Sequence, residues 1–436
     1  MTARESALRA LHSIDTQGTY TNAALKQALS VDGMSSADKG LVTEIIYGVV
    51  SNKTAIDYII SQFSKVKLKK MSPWVLAILR MGVFQIFYMD KIPHSAACNE
   101  AVKLAKKYSH GAGAGFVNGV LRSVARSSKD FVFPKTGNLV ADLSLEYSYP
   151  EWMTKKLVDE YGAEKCAELY AENHKAHGVC IRVNTLKTTK DELITILAAE
   201  GVEYENIDGM DNALIIHGKF NAEASCAYRD GLFSLQNISS QMAVEALRPQ
   251  KGDFVIDMCA APGGKSCAAA ERMENDGKIL SFDVFEHKIK LIQNAAKRLG
   301  ISIIDAKVCD STVPRKELLG KADCVLADVP CSGLGVIHKK PDIKWSRNES
   351  DIAELCEIQT KILEVAAVYV KDGGVLVYST CTILPEENRL RIEEFLKHHN
   401  EFEKIYEQQI LTGELGESGF YICKMVKRDE NRTIKS

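Results

Sequence analysis

Two cysteines lie just beyond apolar stretches that are typical of buried β-strands. Cys331 follows residues 326–330, and Cys381 follows residues 377–380. A thiol at the carboxyl end of a parallel strand opens into the crevice where open α/β sheets bind ligands, so thiols on neighbouring strands can face one substrate. The pattern indicates covalent chemistry, and it predicts that the two thiols are close in space and reduced.

The remaining cysteine pattern argues against a metal site and against secretion. The chain has twelve cysteines, none spaced Cys-x-x-Cys as structural zinc sites usually are. We therefore expect no bound metal, and we expect most of the other cysteines to be small buried hydrophobic residues. Reduced thiols, an amino terminus without an apolar leader and no apolar run of about 18 residues predict a cytoplasmic protein that does not enter a membrane.

A loop of small residues follows a predicted strand and precedes a predicted helix. Its residues are Cys259, Ala260, Ala261, Pro262, Gly263, Gly264 and Lys265. Small side chains let the backbone approach a ligand, and the amino terminus of a helix offers free amide donors. The dinucleotide pattern Gly-x-Gly-x-x-Gly is absent. A phosphate loop matches at Gly264, Lys265 and Ser266 but fails at Cys259, where its first glycine would stand.

Three aspartates lie at or just after the ends of predicted strands. Asp283 can accept the ribose hydroxyls of an adenosine, and Asp310 or its neighbours can reach the adenine. Each acid alone would be explained as a helix cap or a turn former. In register with Asp328 and the small-residue loop, they favour S-adenosylmethionine as the ligand.

The elements that must position these residues alternate as strand and helix after residue 236, which is typical of a doubly wound parallel sheet. The predicted strands are 254–258, 278–283, 302–308, 324–328 and 375–379. A further strand over 420–426 leaves no room for a helical crossover, so an antiparallel strand is expected there.

The first third of the chain is predicted to be a helical bundle, because its apolar residues repeat at helical spacing. Residues 1–145 contain eighteen Lys and Arg against ten Asp and Glu, a balance of +8, whereas the whole chain carries −2, which leaves −10 for the remainder. This split leaves open both a nucleic-acid-binding surface and an ordinary solvated face.

A small α+β module is expected between this bundle and the sheet. It has a predicted helix over about 153–173 and a predicted strand over 179–184. Arg182 and Asn184 in that strand either contact nucleic acid or are solvated at a sheet edge.

Together these motifs resemble, in order and spacing, those of the Sun (RsmB/Fmu) branch of RNA cytosine-5 methyltransferases. The segments concerned are 257–265, 328–335, 341–345 and 379–382, preceded by the similar segment 235–241, and residues 37–50 resemble a helix of NusB-type RNA-binding domains. The resemblance implies a multidomain protein. It would have an all-α NusB-like bundle at 1–130, a small α+β linking domain at 145–232 and an α/β Rossmann-like class I methyltransferase domain at 233–428.

The resemblance also implies methyl transfer from S-adenosylmethionine to C5 of a cytosine in 16S ribosomal RNA, by an enzyme expected to be a monomer. Cys381 would attack C6, and Cys331 would help to release the enzyme, as a base or by assisting elimination. Asp328 would hydrogen bond the base, and Lys265 would orient the cofactor or Asp328. The implied cofactor residues are 259–265, Asp283, Asp310 and Asp328. The residues alone leave the roles of the two thiols open, because DNA cytosine methyltransferases attack from a Pro-Cys thiol.

The chain departs from the family pattern at residues 338–340, His-Lys-Lys in place of the common Arg-Arg-His, and at Leu334, where Thr is common. The residues expected near the RNA backbone are Lys339, Lys340, Lys344 and Arg347. Trp345 either stacks on a base or packs in a core. Two other functions stay open, a phosphate-loop NTPase acting on RNA and a non-catalytic NusB-like RNA-binding factor.

Overall fold

The structure is a computed structural model, and it describes residues 1–109, 112–175, 178–218, 220–414 and 418–429. The chain divides into two compact units. The first comprises Met1–Ala171 and Ile337–Arg347, and the second comprises Glu172–Val336 and Asn348–Ser436. The expected domain limits, 1–130, 145–232 and 233–428, stay predictions.

The described residues form the following α-helices. They are α1 (Ala3–Gln17), α2 (Thr21–Leu29), α3 (Ser36–Ser51), α4 (Lys53–Phe63), α5 (Pro73–Tyr88), α6 (His94–Tyr108), α7 (Ala112–Ser127), α8 (Leu139–Tyr147), α9 (Glu151–Tyr161), α10 (Ala163–Glu172), α11 (Lys190–Ala199), α12 (Cys226–Arg229), α13 (Ile238–Leu247), α14 (Gly264–Arg272), α15 (Glu286–Leu299), α16 (Ile343–Ser346), α17 (Glu349–Tyr369) and α18 (Arg389–His398).

The same residues form two groups of β-strands. The first group is β1 (Val179–Val183), β2 (Tyr204–Asn206), β3 (Ala213–Ile216) and β4 (Phe233–Leu235). The second group is β5 (Phe254–Asp257), β6 (Lys278–Asp283), β7 (Ile304–Val308), β8 (Ala322–Asp328), β9 (Val370–Thr380), β10 (Phe402–Ile410) and β11 (Phe420–Lys427).

The first unit is built of helices, as the apolar spacing predicts. Their apolar faces share one core that includes the fully buried side chains of Ile45, Ile78 and Leu121. A serine and a proline mark the start of α5: the helix begins at Pro73, and the Ser72 hydroxyl accepts from the Val75 amide at 3.4 Å. Capping by the serine satisfies an amide that has no partner within the helix.

The single helix expected over 153–173 is wrong. α9 ends at Tyr161 and α10 begins at Ala163, with Gly162 at φ +80° between them. Glycine adopts this backbone region without strain, so the chain turns at Gly162 and starts a second helix.

A small antiparallel sheet with the strand order β2-β3-β1-β4 opens the second unit. β1 pairs with β3 on one side and with β4 on the other, so it is an internal strand. Ile181 and Val183 of β1 pack against Leu193 and Leu197 of α11 in a separate small core. The predicted strand is present, but the alternative that Arg182 and Asn184 are solvated at a sheet edge is wrong.

The large sheet has the strand order β10-β11-β9-β8-β5-β6-β7. β5 to β9 run parallel to one another, and β11 runs antiparallel to β9, which confirms the expected doubly wound sheet and its antiparallel last strand. β10 was not predicted from the sequence. Residues 403–406 of this edge strand are exposed, so the apolar pattern that marks a buried strand is missing.

Strand register brings the functional residues to one edge of the large sheet. Asp257 pairs with Ser281 and Leu326, and Asp328 pairs with Ser379. Helices α13, α14 and α15 cover one face, and α17 and α18 cover the other. Because both faces are covered, ligands can reach the parallel strands only at their ends. The side chains that could take part in a reaction lie at the carboxyl ends.

Candidate active site

The loop of small residues between β5 and α14 is held in place by backbone hydrogen bonds. The Ala260 amide donates to the Phe282 carbonyl at 2.8 Å, and the Gly263 amide donates to the Ala260 carbonyl at 2.7 Å. Gly263 has φ +106°, and a Cβ at this position would lie 3.1 Å from the Ile292 Cα. The position therefore requires glycine, and α14 begins directly after it, so the amides of its first turn can donate to a ligand.

Asp257 is buried at the end of β5, beside this loop. Its Oδ2 accepts from Ser266 Oγ at 2.6 Å, and Ser281 Oγ lies 2.8 Å from Ser266 Oγ. Its Oδ1 has no hydrogen-bond partner among the described residues. Burial raises the pKa of Asp257 to about 7, although the Ser266 hydroxyl opposes the shift. A buried acceptor without a partner fits a ligand that brings its own donor, such as the ammonium group of an amino acid.

Asp257 belongs to the motif at 257–265, but no role was predicted for it. The available signal was its position at a strand end, which it shares with Asp283 and Asp328.

Asp283 and Asp310 differ in their burial and in the hydrogen bonds they make with nearby residues. Asp283 is buried at the end of β6, where Oδ1 accepts from the Phe285 amide at 3.1 Å and Oδ2 lies 3.4 Å from Lys288 Nζ. A carboxylate with two such contacts can still accept further donors. Asp310 is exposed, and its Oδ1 accepts from the hydroxyl and the amide of Thr312 at 2.6 and 2.9 Å, which lowers its pKa. Asp310 is thus a turn former whose Oδ2 takes no part in the turn.

Lys265 and Asp328 form an ion pair at the carboxyl ends of the strands. Lys265 Nζ lies 2.7 Å from Asp328 Oδ2, and Ser379 Oγ donates to Asp328 Oδ1 at 2.8 Å. Burial disfavours the lysine charge, but the charge and the hydrogen bond of Asp328 raise the pKa of Lys265 overall. The Lys265 ammonium also interacts electrostatically with Cys381. A thiolate formed at Cys381 is therefore stabilised by a neighbouring cation.

Cys331 and Cys381 lie side by side, each just beyond one of two paired parallel strands, β8 and β9. Their Sγ atoms are 3.2 Å apart, and the Cys381 amide donates to Cys331 Sγ at 3.3 Å. Neither thiol belongs to a disulfide, and both are half-buried. The prediction that the two thiols are close in space is confirmed, and their reduced state stays a prediction. Two sulfur atoms at this distance can reach neighbouring atoms of one planar ring.

The surroundings of Cys331 favour its neutral thiol. The hydrogen bond with Cys381, burial, and the charges of Cys381 and Glu387 together raise the pKa of Cys331 well above its usual range. Burial likewise raises the pKa of Cys259, so the thiol in the small-residue loop is suited to packing and not to nucleophilic attack.

Lys344 is not placed to contact RNA, which corrects the expectation from the sequence. It is buried in the first unit, where Nζ donates to the carbonyls of Ser51 and Ser148 at 2.6 and 2.9 Å and lies 4.1 Å from the centre of the Tyr149 ring. Burial lowers the pKa of Lys344 to about 7. Trp345 packs against the helical core, and its Nε1 donates to the Val50 carbonyl at 2.7 Å. Of the two interpretations of Trp345, the structure favours packing.

Arg182 and Asn184 are also committed to the interior, so both alternatives considered for them, RNA contact and solvation at an edge, are wrong. Arg182 forms a buried ion pair with Glu271. Asn184 Nδ2 donates to the carbonyls of Gly231 and Leu299 at 2.8 and 2.9 Å. Sequence reasoning could not see these partners, because they are 47 to 115 residues away along the chain.

Within the described ranges, no helix combines the length and the apolar character needed to cross a membrane. In that same part of the chain, no three His, Cys, Asp or Glu side chains are grouped so that they could hold a metal ion. A cavity of about 660 Å³ in the second unit is lined by Arg182, Arg248, Arg272 and Lys424 among others, and none of the predicted catalytic or cofactor-binding residues lines it.

Three family models match successive parts of the chain. The model described as 16S rRNA methyltransferase RsmB/F matches residues 244–424, the NusB family model matches 1–126, and the RsmF/B-like ferredoxin-like domain matches 149–223. These matches agree with the helical first unit and the two sheets of the second. The predicted fold class, a NusB-like bundle, a small α+β domain and a Rossmann-like methyltransferase domain, is confirmed.

Similar proteins extend the match over nearly the whole chain. The chain is 39% identical to the probable ribosomal RNA small subunit methyltransferase B of Bacillus subtilis, with 98% of each chain covered. It is 33% identical to the protein of the same name from Synechocystis sp., with 92% of this chain and 90% of the relative covered. The solved structure of PH0851 is 28% identical, with a TM-score of 0.83 over 97% of this chain and 98% of the other. This chain belongs to the RsmB/F family of 16S rRNA methyltransferases.

Proposed function

We propose that the protein transfers a methyl group from S-adenosylmethionine to C5 of a cytosine in 16S ribosomal RNA, through a covalent bond between Cys381 and C6 of the base. The observation that carries the proposal is the pair of thiols. Their sulfur atoms lie 3.2 Å apart at neighbouring strand ends, beside the Lys265–Asp328 ion pair.

The residues around the small-residue loop fit the methyl donor. Residues 259–265 offer backbone that a ligand can approach closely, and Asp257 offers an unpartnered oxygen to the ammonium group of the methionine moiety. Asp283 can accept the ribose hydroxyls, and Asp310 has an oxygen free of its turn. When bound, S-adenosylmethionine supplies an electrophilic methyl group on sulfur.

Cys381 supplies the nucleophile that activates the base. C5 of cytosine is a poor nucleophile, so a thiolate must first add to C6 and give C5 the character of an enamine carbon. The Lys265 ammonium stabilises the thiolate before the attack. Asp328 is suited to hydrogen bond N3 and the exocyclic amino group of the base, and if the carboxyl group takes up a proton from solvent and donates it towards N3, C6 becomes more electrophilic.

Cys331 completes the reaction after methyl transfer. The C5 proton must leave and the bond between sulfur and C6 must break, which restores the aromatic ring and the Cys381 thiolate. A sulfur 3.2 Å from Cys381 is close to both C5 and C6 of the bound base. Cys331 acts there by assisting the elimination as a neutral thiol, or as the base that takes the C5 proton after it has released its own proton to solvent.

The RNA must present an unpaired or flipped base, because a paired cytosine cannot enter a crevice at the end of a sheet. The excess positive charge of residues 1–145 is suited to holding the RNA backbone. The relatives named above act on ribosomal RNA of the small subunit, which supports the same substrate here. A monomeric and cytoplasmic protein stays a prediction, and light scattering during gel filtration tests the first part.

A trapping experiment tests the proposal. With S-adenosylmethionine and 16S rRNA fragments, the Cys331→Ala variant should accumulate a covalent protein–RNA complex that survives denaturing electrophoresis. The Cys381→Ala variant should form none, and neither should the double variant. Absence of a Cys381-dependent complex, or a complex that depends on Cys331 instead, would contradict the assignment of the two thiols.

Calorimetric titration separates the proposal from the two other functions. S-adenosylmethionine should bind in a 1:1 complex and ATP should not. An NTPase would bind ATP with magnesium and lose hydrolysis on substitution of Lys265. A non-catalytic RNA-binding factor would bind rRNA and leave S-adenosylmethionine unbound.

A further inference from the structure

A buried carboxylate lies behind the loops that follow β8 and β9, which contain Cys331 and Cys381. Glu387, at the end of a short 3₁₀ turn after β9, is fully buried. Its Oε2 accepts from the Ser332 amide at 2.8 Å and from Gln359 Nε2 at 2.9 Å, and its Oε1 accepts from Ser332 Oγ at 2.5 Å. Three donors of this kind balance the cost of burying the carboxylate.

The two residues that follow the cysteines are bound to each other. Ser332 follows Cys331, Thr382 follows Cys381, and their hydroxyl oxygens are 2.8 Å apart. Both side chains are fully buried. Each thiol is therefore one residue away from a hydroxyl that is bound, directly or through Ser332, to Glu387.

Asn388 holds Cys381 from its other side. Its Oδ1 accepts from Thr380 Oγ1 at 2.6 Å, and its Nδ2 donates to the Thr382 carbonyl at 3.0 Å. The residues immediately before and after Cys381 are thus tied to one side chain. Neither Glu387 nor Asn388 belongs to the motifs that the sequence analysis singled out.

We propose that Glu387 is a positioning residue, which holds Cys331 and Cys381 in register through Ser332 and Thr382 so that both thiols meet the same base. This inference rests on the proposed function, since a fixed spacing of two sulfurs matters only if C5 and C6 of one ring are their targets. Misplacement of reacting atoms by about 1 Å can cost roughly 100-fold in rate. A hydrogen-bonded core behind the loops prevents such a misplacement.

The charge of Glu387 has a second effect. It adds to the hydrogen bond between the two sulfur atoms and to burial, which are the larger causes, in favouring the neutral thiol of Cys331, whereas the Cys381 amide that donates to Cys331 Sγ opposes this effect. Lys265 acts in the opposite sense on the neighbouring thiol, because its cation interacts with Cys381. Cys331 and Cys381, just beyond the carboxyl ends of β8 and β9, therefore have different electrostatic surroundings. The proposed roles require this difference, because one thiol attacks the base and the other helps to release the enzyme.

The test compares Glu387→Gln with a matched control, Glu393→Gln. The Glu393 carboxylate is exposed on α18. Alkylation of each cysteine by iodoacetamide is followed from pH 6 to 10 by mass spectrometry of the two peptides. In Glu387→Gln the alkylation of Cys331 at pH 8 should be several-fold faster than in the wild-type protein, because one of the charges that disfavour the Cys331 thiolate is gone. The kcat for methyl transfer should fall about 10- to 100-fold, with KM for S-adenosylmethionine and for RNA within about twofold.

Two results would overturn the proposal. One is an unchanged Cys331 alkylation profile together with an unchanged kcat in Glu387→Gln, and the other is an equal effect in Glu393→Gln. Should Glu387→Gln fail to fold, Thr382→Val removes the link between the loops at almost constant volume, and an unchanged kcat in that variant overturns the proposal as well. The alkylation readout needs no RNA, so it separates failure of this inference from failure of the Cys381 adduct.

Discussion

Arg182 of the small antiparallel sheet and Glu271 of α14 form an ion pair with two parallel hydrogen bonds. Arg182 Nε and Nη2 donate to the two Glu271 oxygens at 2.8 Å each, and the side chains are only 6% and 4% exposed. Arg182 Nη1 also donates to the Gly264 carbonyl at 3.1 Å. The ferredoxin-like domain is thereby bonded to the first residue of the helix that follows the cofactor loop.

We expect Arg182→Met to lower the free energy of unfolding by about 3–5 kcal/mol, because it leaves the Glu271 carboxylate buried without a partner. Urea unfolding followed by circular dichroism measures this loss. The double variant Arg182→Met/Glu271→Met should lose less than the sum of the single variants, because no buried charge remains. Arg272→Met is the control, since its partly exposed pair with Glu245 should be worth under about 1 kcal/mol. Equal losses in both single-arginine variants would refute the prediction.

The pH dependence of stability should carry the signature of Asp257. Its pKa is about 7 in the folded protein, against about 3.9 for an unfolded aspartate. Between these values the folded state holds a proton that the unfolded state has released, so the contribution of Asp257 is full below pH 4 and is lost as the pH rises to 7. From pH 5 to 7 the wild-type protein should lose about 2 kcal/mol relative to Asp257→Asn.

Guanidinium unfolding of both proteins at several pH values measures this difference. Asp310→Asn serves as the control, because the pKa of Asp310 is lowered and the group is ionised in both states above pH 5. Its difference from wild type should stay constant over the same interval. A wild-type curve parallel to that of Asp257→Asn would mean that Asp257 is already ionised in the folded protein.

Sequence periodicity located most of the fold because the parallel strands are buried on both faces and read as apolar runs. The same reasoning missed β10, whose residues 403–406 are exposed. Cys331 and Cys381 could be placed together, since residues beyond neighbouring strand ends must meet. Lys344 was misjudged because its partners are 196 and 293 residues away, and no local pattern distinguishes a buried lysine from a solvated one.

Gly263→Ala should damage the cofactor loop in particular. A Cβ at this position meets the Ile292 backbone at 3.1 Å, and φ +106° is a strained backbone conformation for alanine. We expect a loss of about 1–3 kcal/mol of stability and a large loss of S-adenosylmethionine binding by calorimetry. Gly320→Ala is the matched control, with φ +63° and nothing within 4 Å of the new Cβ, and it should bind S-adenosylmethionine normally. Equal binding by both variants would contradict a role for the loop in holding the methyl donor.

Lys344 lies at the carboxyl end of α3, where the Ser51 carbonyl has no partner within the helix. A cation at this end is favoured by the helix dipole, and Trp345 serves the adjacent Val50 carbonyl in the same way. The segment 337–347 therefore completes the end of a helix that lies almost 300 residues earlier.

Lys344→Met should consequently change the stability of the protein, and Lys340→Met should change the salt dependence of RNA binding. Lys344→Met leaves the Ser51 and Ser148 carbonyls buried without a donor, so it should cost about 2–4 kcal/mol in urea unfolding and leave the salt dependence of RNA binding unchanged. Lys340 is exposed, and if it meets a phosphate, Lys340→Met should change stability by less than about 0.5 kcal/mol and reduce the slope of log K against log salt by about 1. If Lys344→Met instead reduced the slope of log K against log salt and left the stability unchanged, the expected RNA contact of Lys344 would be supported. Lys344 would then have to be released from the Ser51 and Ser148 carbonyls before it could reach a phosphate.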